Sequence, residues 1–229
     1  MSISNICKSA LAAAVVLLSA GAASAAPVIW TDWTSTNTTR GNIAGNNVTV
    51  TGNLDPSTQT NGGFNYWAGY AATFTAPGLD NGPPDSDIVR LRGNTAIDIY
   101  FSAPVIDPIM AIMSLGKAGQ AVDYRFQQAQ AAPTSFDVIS TGLGPWGNGS
   151  LQELSGNILR GEEGNGLIQF YGTYTRIRFT VAVLENGWSG FQIGVAGEVP
   201  EPGALLLFGF ALAGLAAART RKRPTSVPG

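Results

Sequence analysis

The sequence predicts an all-β domain, a β-sandwich of jelly-roll type, and three observations carry that expectation. Only 12% of the 229 residues are charged while 29 are Gly, a composition unlike that of a helical enzyme. Apolar residues recur at every second position in several short runs. Clusters of Gly, Pro and Asn separate those runs at short intervals. No window of about 12 residues between the two chain ends shows the three-to-four spacing of an amphipathic helix.

The strands follow in chain order. Val48–Val50 and Tyr70–Thr75 are short candidates. Ala96–Phe101 alternates cleanly, with Ile97, Ile99 and Phe101 on one face. Ile109–Leu115 is apolar but for Ser114, including Met110 and Met113, and reads as a strand buried on both faces. Val122–Phe126, Phe136–Ile139 and Leu167–Tyr171 come next. Arg176–Val183 is the clearest of all, with Ile177, Phe179, Val181 and Val183 inward and Arg176 and Arg178 outward. Phe191–Val195 closes the series. Turn signals lie between them at Asn61-Gly62-Gly63, Asn81-Gly82-Pro83-Pro84, Gly142-Leu143-Gly144-Pro145 and Glu185-Asn186-Gly187. A parallel β-helix is the alternative, and the absence of an internal repeat counts against it.

Composition also excludes chemistry. There is no His, and Cys7 is the single Cys. Ser-His-Asp and Cys-His nucleophilic sites, zinc sites and disulfide frameworks are therefore ruled out. Residues 26–198 hold fourteen Asp and Glu against eight Lys and Arg, a net charge of −6, which disfavours nucleic acid as a partner.

The two ends of the chain read as addresses. Residues 1–25 have the form of a secretory signal peptide: Lys8, the apolar run Ala10–Ala22, then Ala23-Ser24-Ala25 as the small-residue site for signal peptidase. At the other end, residues 199–223 place Pro200-Glu201-Pro202 before the apolar run Gly203–Ala218 and the basic cluster Arg219, Arg221, Lys222 and Arg223. Sixteen residues make a helix of about 24 Å, short for a hydrocarbon core of about 30 Å. The basic cluster would stay on the cytoplasmic side as a stop signal. Residues 224–229 form a tail, which leaves 26–198 as one domain of 173 residues.

That C-terminal order of parts resembles the PEP-CTERM sorting signal of exopolysaccharide-producing Gram-negative bacteria. The same segment is also called the ice-binding-protein C-terminal domain, a name for a shared tail that implies no ice activity. The resemblance implies recognition of Pro200-Glu201-Pro202 by an exosortase, transient residence in the inner membrane through the helix 203–218, and delivery to the cell surface or extracellular matrix. Within the domain, Trp30–Ser35, Pro84–Ile88 and Pro108–Gly116 resemble exported PEP-CTERM proteins without an assigned activity, so the resemblance brings a location and no catalytic residues. A non-catalytic protein associated with exopolysaccharide is the resulting expectation. A purely structural, self-associating matrix protein is one alternative.

Two sets of side chains are candidates for a site. Trp67, Trp146 and Trp188 lie in loops rich in Gly and Asn, where an aromatic plane beside amide groups would suit the apolar face and hydroxyl rim of a sugar; each could equally plug the end of the sandwich. Asp80, Asp85 and Asp87 flank a tight Gly-Pro-Pro loop and offer hard oxygen ligands to a structural calcium ion, although Asp in such loops more often bonds its own backbone. No other cofactor is expected. A hydrolase built on an acidic pair is the remaining alternative, since glycosidases need two carboxylates across a cleft.

Overall fold

The computed structural model describes residues 26–36, 38–92, 95–127, 135–181 and 188–197. The signal peptide, the sorting segment with its helix and basic cluster, Val183 and the Glu185-Asn186-Gly187 turn lie outside the described residues. Residues Ala25–Glu198 form one compact unit. Its strands are β1 (Val28–Trp30), β2 (Asp32–Ser35), β3 (Thr39–Ile43), β4 (Asn46–Thr51), β5 (Val89–Arg90), β6 (Thr95–Ile106), β7 (Ile109–Leu115), β8 (Val122–Gln127), β9 (Ser135–Thr141), β10 (Leu151–Leu154), β11 (Ile158–Gly161), β12 (Gly164–Tyr171), β13 (Thr173–Val181) and β14 (Gly190–Ala196). Among the described residues no helix is long and apolar enough to cross a membrane.

The strands form two sheets, and within each sheet neighbouring strands pair antiparallel, which excludes the parallel β-helix. One sheet runs β1-β14-β7-β12-β9; the other runs β10-β11-β8-β13-β6-β4-β3-β2. β5 and β1 follow one another along the same edge of β14, opposite Gly190–Phe191 and Gly194–Ala196 respectively, while β7 occupies its other edge. The sheets face each other across one apolar core. Phe126 of β8 meets Phe136 of β9 at 5.0 Å and Phe170 of β12 at 5.1 Å, edge to face, which joins the sheets towards the β9 edge.

Alternation explains which residues enter that core. In β13, Ile177, Phe179 and Val181 are buried while Arg176 and Arg178 face away, as the period of two requires. β7 is buried along its whole length for a different reason. Met110, Ile112 and Leu115 enter the shared core, whereas Ile109, Ala111 and Met113 face a second cluster on the far side. There, the long connection from β4 to β5 lies over the outer face of the first sheet and supplies Trp67, Phe74, Leu79 and Ile88. Asn81 staples this layer to β1: its carboxamide accepts from Val28 N at 2.6 Å and donates to Val28 O at 2.9 Å.

Strands near the start of the chain pair tightly because glycine lies opposite tryptophan. Trp33 of β2 stands across from Gly41 of β3 and is fully buried. A Cβ on Gly41 would collide with Asp32 O and fall 2.8 Å from the Trp33 ring, so no larger residue fits.

One expected strand is not one. Tyr70–Thr75 contains a single 3-10 turn, Ala71–Thr73, with Thr73 N bonded to Tyr70 O and Phe74 N to Ala71 O. Ala71 and Ala72 are exposed and offer nothing to bury on a pleated face, so the backbone closes on itself and only Thr73 and Phe74 turn inward.

Candidate functional site

The layer over the first sheet is organised by Asp87, which is fully buried. Its carboxylate accepts N–H bonds from Trp33 at 2.8 Å and from Asn61 at 2.6 Å. Its carbonyl accepts from the Trp67 indole at 3.1 Å. Burial pushes the Asp87 carboxyl above the usual range, and the two N–H donors act against that rise. Beside it Gln192, also fully buried, accepts from the Trp33 indole at 2.5 Å and donates to Thr31 O at 2.9 Å. This network fixes where the loop after Asn61 leaves the core. The loop then turns through Asn61, Gly62 and Gly63, all with positive φ, a reversal that glycine makes without steric cost.

The turn delivers Phe64 and Tyr66 to the surface, where they meet two tryptophans from distant parts of the chain. Tyr66 lies 5.4 Å from Trp146 and 4.5 Å from Trp188, Trp146 lies 4.6 Å from Trp188, and Phe64 packs edge-on to Tyr66 at 5.0 Å. The cluster has two tiers. Tyr66 and Trp188 are half-buried against the second apolar cluster, whereas Phe64 and Trp146 are 64% and 49% exposed. Trp146 sits on the turn closed by Gly144 N to Gly147 O at 2.8 Å, and Trp188 lies just before β14. The Arg90 guanidinium lies 4.7 Å over the Trp188 ring, held from behind by Ser57 and by Asp55 at 3.7 Å. Burial lowers the Arg90 pKa, partly countered by Asp55.

The structure therefore divides the three tryptophans. Trp146 and Trp188 join one surface; Trp67 does not, being 3% exposed with its indole N–H spent on Asp87. Trp67 is the plug. Phe64, Tyr66 and Arg90 complete the surface without having stood out in the sequence. Their grouping comes from a bend at Tyr66 and Trp67 that no alternation in the sequence announces.

The three aspartates also part company. Asp80 and Asp85 are exposed, and Asp85 accepts from Asp87 N at 3.1 Å in the local turn typical of Asx residues. The Asp87 carboxylate faces the opposite way, onto Trp33 and Asn61. Among the described residues no three acidic side chains gather as a metal ion would need. Glu163 belongs to a different support: it accepts from Ser114 Oγ at 2.6 Å, and Asn165 accepts from Ser114 N at 2.9 Å, beneath the turn that carries Trp146.

Residues 198–222 match the family model of the PEP-CTERM protein-sorting motif. The match spans Pro200-Glu201-Pro202, the apolar run and Arg219, Arg221 and Lys222. No curated protein and no solved structure matches the chain. The chain thus carries a sorting motif that directs export through the membrane to the cell envelope with processing by an exosortase.

Proposed function

We propose that the exported domain is a non-catalytic jelly-roll sandwich that associates with exopolysaccharide at the cell surface or in the extracellular matrix, through the aromatic platform of Trp146, Trp188 and Tyr66. The strand order supports the fold. The path β5-β14-β7-β12 in one sheet faces β6-β13-β8-β11 in the other. The chain passes from sheet to sheet at each step from β5 to β8 and from β11 to β14, the pattern of two nested Greek keys. β9, β10 and the β2-β3-β4 meander extend the edges. Signal peptidase would remove residues 1–25, and the helix 203–218 would hold the chain in the inner membrane until the exosortase acts.

The observation that carries the ligand reading is the exposed upper tier. Phe64 and Trp146 present apolar planes to water while resting on a half-buried aromatic base, so the surface is already ordered before a ligand arrives. Sugar rings place C–H faces on such planes, and the Arg90 N–H groups beside Trp188 are suited to ring hydroxyls. Protein recovered from the extracellular fraction should be retained in affinity electrophoresis through host exopolysaccharide. Trp146→Ala should weaken that retention about tenfold, equivalent to about 1.4 kcal/mol, with the melting temperature within about 2 °C because the ring is half exposed. Retention untouched by Trp146→Ala would sink this reading.

A further inference from the structure

The eight-stranded sheet turns its second face outward, and that face is charged opposite to the domain as a whole. Of the eight Lys and Arg between 26 and 198, five project from it: Arg40 on β3, Arg125 on β8, Arg160 on β11, and Arg176 and Arg178 on β13. Alternation requires this, since their neighbours Gly41, Tyr124, Phe126, Leu159, Ile177 and Phe179 are buried inward. The acids set among them are Asp98 and Asp123, with Asp32 on the edge strand β2. Glu153 on the other edge strand, β10, stands opposite Leu159 and so shares the register of the inward positions.

Those two central carboxylates are each shared by two guanidiniums. Asp98 takes Arg176 at 2.6 Å and lies 3.9 Å from Arg178; Asp123 takes Arg160 at 2.7 Å and Arg125 at 3.0 Å. The carboxylates are sunk, at 15% and 8% side-chain exposure, while the arginines range from 29% to 51%. Each triad therefore carries one net positive charge and presents it outermost. Two guanidiniums bring about ten N–H donors to a carboxylate with about four acceptor sites, so donors remain for something else. Between the arginines lie neutral hydrogen-bonding groups in register. Thr49, Tyr100 and Arg176 stand side by side on β4, β6 and β13, and Thr51, Asp98, Arg178 and Gln127 form the next row. Tyr100 is 40% exposed beneath the Arg176 guanidinium at 5.1 Å. From β3 to β11 the face crosses six adjacent strands, about 24 Å at about 4.8 Å per step.

We propose that this outer face of the eight-stranded sheet binds a linear carboxylate-bearing polysaccharide, its sugar carboxylates seated on the spare N–H groups of Arg176 and Arg178 around Asp98 and of Arg125 and Arg160 around Asp123. An arginine fork matches a carboxylate in two parallel hydrogen bonds, which favours this ligand over a neutral glycan. Nucleic acid fits less well, because a net charge of −6 on the domain opposes a polymer with one charge per about 1.7 Å. The proposal shares with the aromatic platform only the class of polymer; its residues lie on the other sheet.

The test uses the exported protein with Arg125→Gln and Arg178→Gln combined. Arg160 and Arg176 then still pair Asp123 and Asp98, and an unchanged circular dichroism spectrum and melting temperature verify the fold. The probes are polygalacturonate, its fully methyl-esterified form and poly-glutamate, at about 50 and about 500 mM NaCl. Wild type should bind polygalacturonate at the lower salt, lose it at the higher, and bind the ester at least about tenfold more weakly. The double variant should lose about tenfold on polygalacturonate and keep wild-type binding of the methyl ester, while Lys117→Gln, which removes a cation outside this face, should bind polygalacturonate as wild type does; the two controls separate this face from the aromatic platform and from net charge. Equal binding by the double variant, or no binding by wild type, overturns the proposal. Stronger binding to poly-glutamate, or self-association abolished by the double variant, assigns the face to protein contacts and overturns it as well.

Discussion

Replacing Asp87 tests whether a buried carboxylate builds the candidate site. Asp87→Ala leaves the Trp33 N–H without an acceptor in a closed interior and the Asn61 N–H without one at its part-buried margin. Each orphaned donor costs about 1–3 kcal/mol. Against this stands the relief of an unfavourably buried charge, the same desolvation that raises the Asp87 pKa. A net loss of about 2–4 kcal/mol follows, or a fall of roughly 5–15 °C in melting temperature for a domain of this size. Asp87→Asn keeps one acceptor but turns an NH2 group towards the other N–H, so it should fall between alanine and wild type. Urea unfolding followed by Trp fluorescence reads both.

The pH dependence carries a sign. Because the folded pKa of Asp87 lies above its unfolded value, its contribution is complete below the unfolded pKa and declines as pH rises through the folded one. The gap between wild type and Asp87→Asn should therefore be widest in acid and narrow towards neutrality. Glycan retention should fall in Asp87→Ala as well, since Asn61 anchors the turn that carries Phe64 and Tyr66. Asp87→Ala unfolding at the wild-type urea concentration at neutral pH, or Asp87→Asn exceeding wild type in stability, would refute the account.

Three further outcomes are expected. Gly41→Ala forces a Cβ against Asp32 O and the Trp33 ring and should cost about 1–3 kcal/mol in urea unfolding. Asp123 behaves oppositely to Asp87: hydrogen bonds from Arg160 hold its carboxyl below the usual range, so its stabilisation is present above the unfolded pKa and lost as pH falls through the folded one. Asp123→Asn should flatten the acid limb of a stability–pH profile below about pH 4. Replacing Pro200-Glu201-Pro202 by three alanines should leave the melting temperature of the domain unchanged and the full-length chain in the inner membrane; intact mass of the extracellular form reads the result, and Gly229 still attached to wild type there would refute processing.

What could be read from sequence depended on whether the signal was local. The alternation in 96–101 and 176–181 depends only on neighbours along the chain, and both segments are strands as expected. The apolar run 109–115, interrupted only by Ser114, correctly announced two covered faces, although nothing in it said that a loop layer would cover one of them. β2 and β3 are hidden in the sequence because β2 has the single inward residue Trp33 and the inward positions of β3 are Thr39, Gly41 and Ile43, of which only Ile43 reads as apolar along the chain. β10 and β11 have four residues each, too few for alternation to show. The aromatic site was half legible. Trp146 and Trp188 could be named from their loops, but their contact with each other and with Tyr66 is a product of the fold.

Charge was legible as a count and illegible as a pattern. The domain has seven arginines and one lysine, Lys117, a bias that composition records without explaining. The structure supplies a reason at five of the seven. Arg125, Arg160, Arg176 and Arg178 share two carboxylates, and a planar fork can bond one while leaving N–H groups free, where an ammonium would act as a single point charge. Arg90 and Arg176 each lie over an aromatic ring, Trp188 and Tyr100 respectively. Substituting lysine at these positions would keep the charge and lose both geometries. Arg176→Lys should therefore weaken binding of a carboxylate-bearing glycan despite an unchanged net charge, a result that simple electrostatic attraction does not produce.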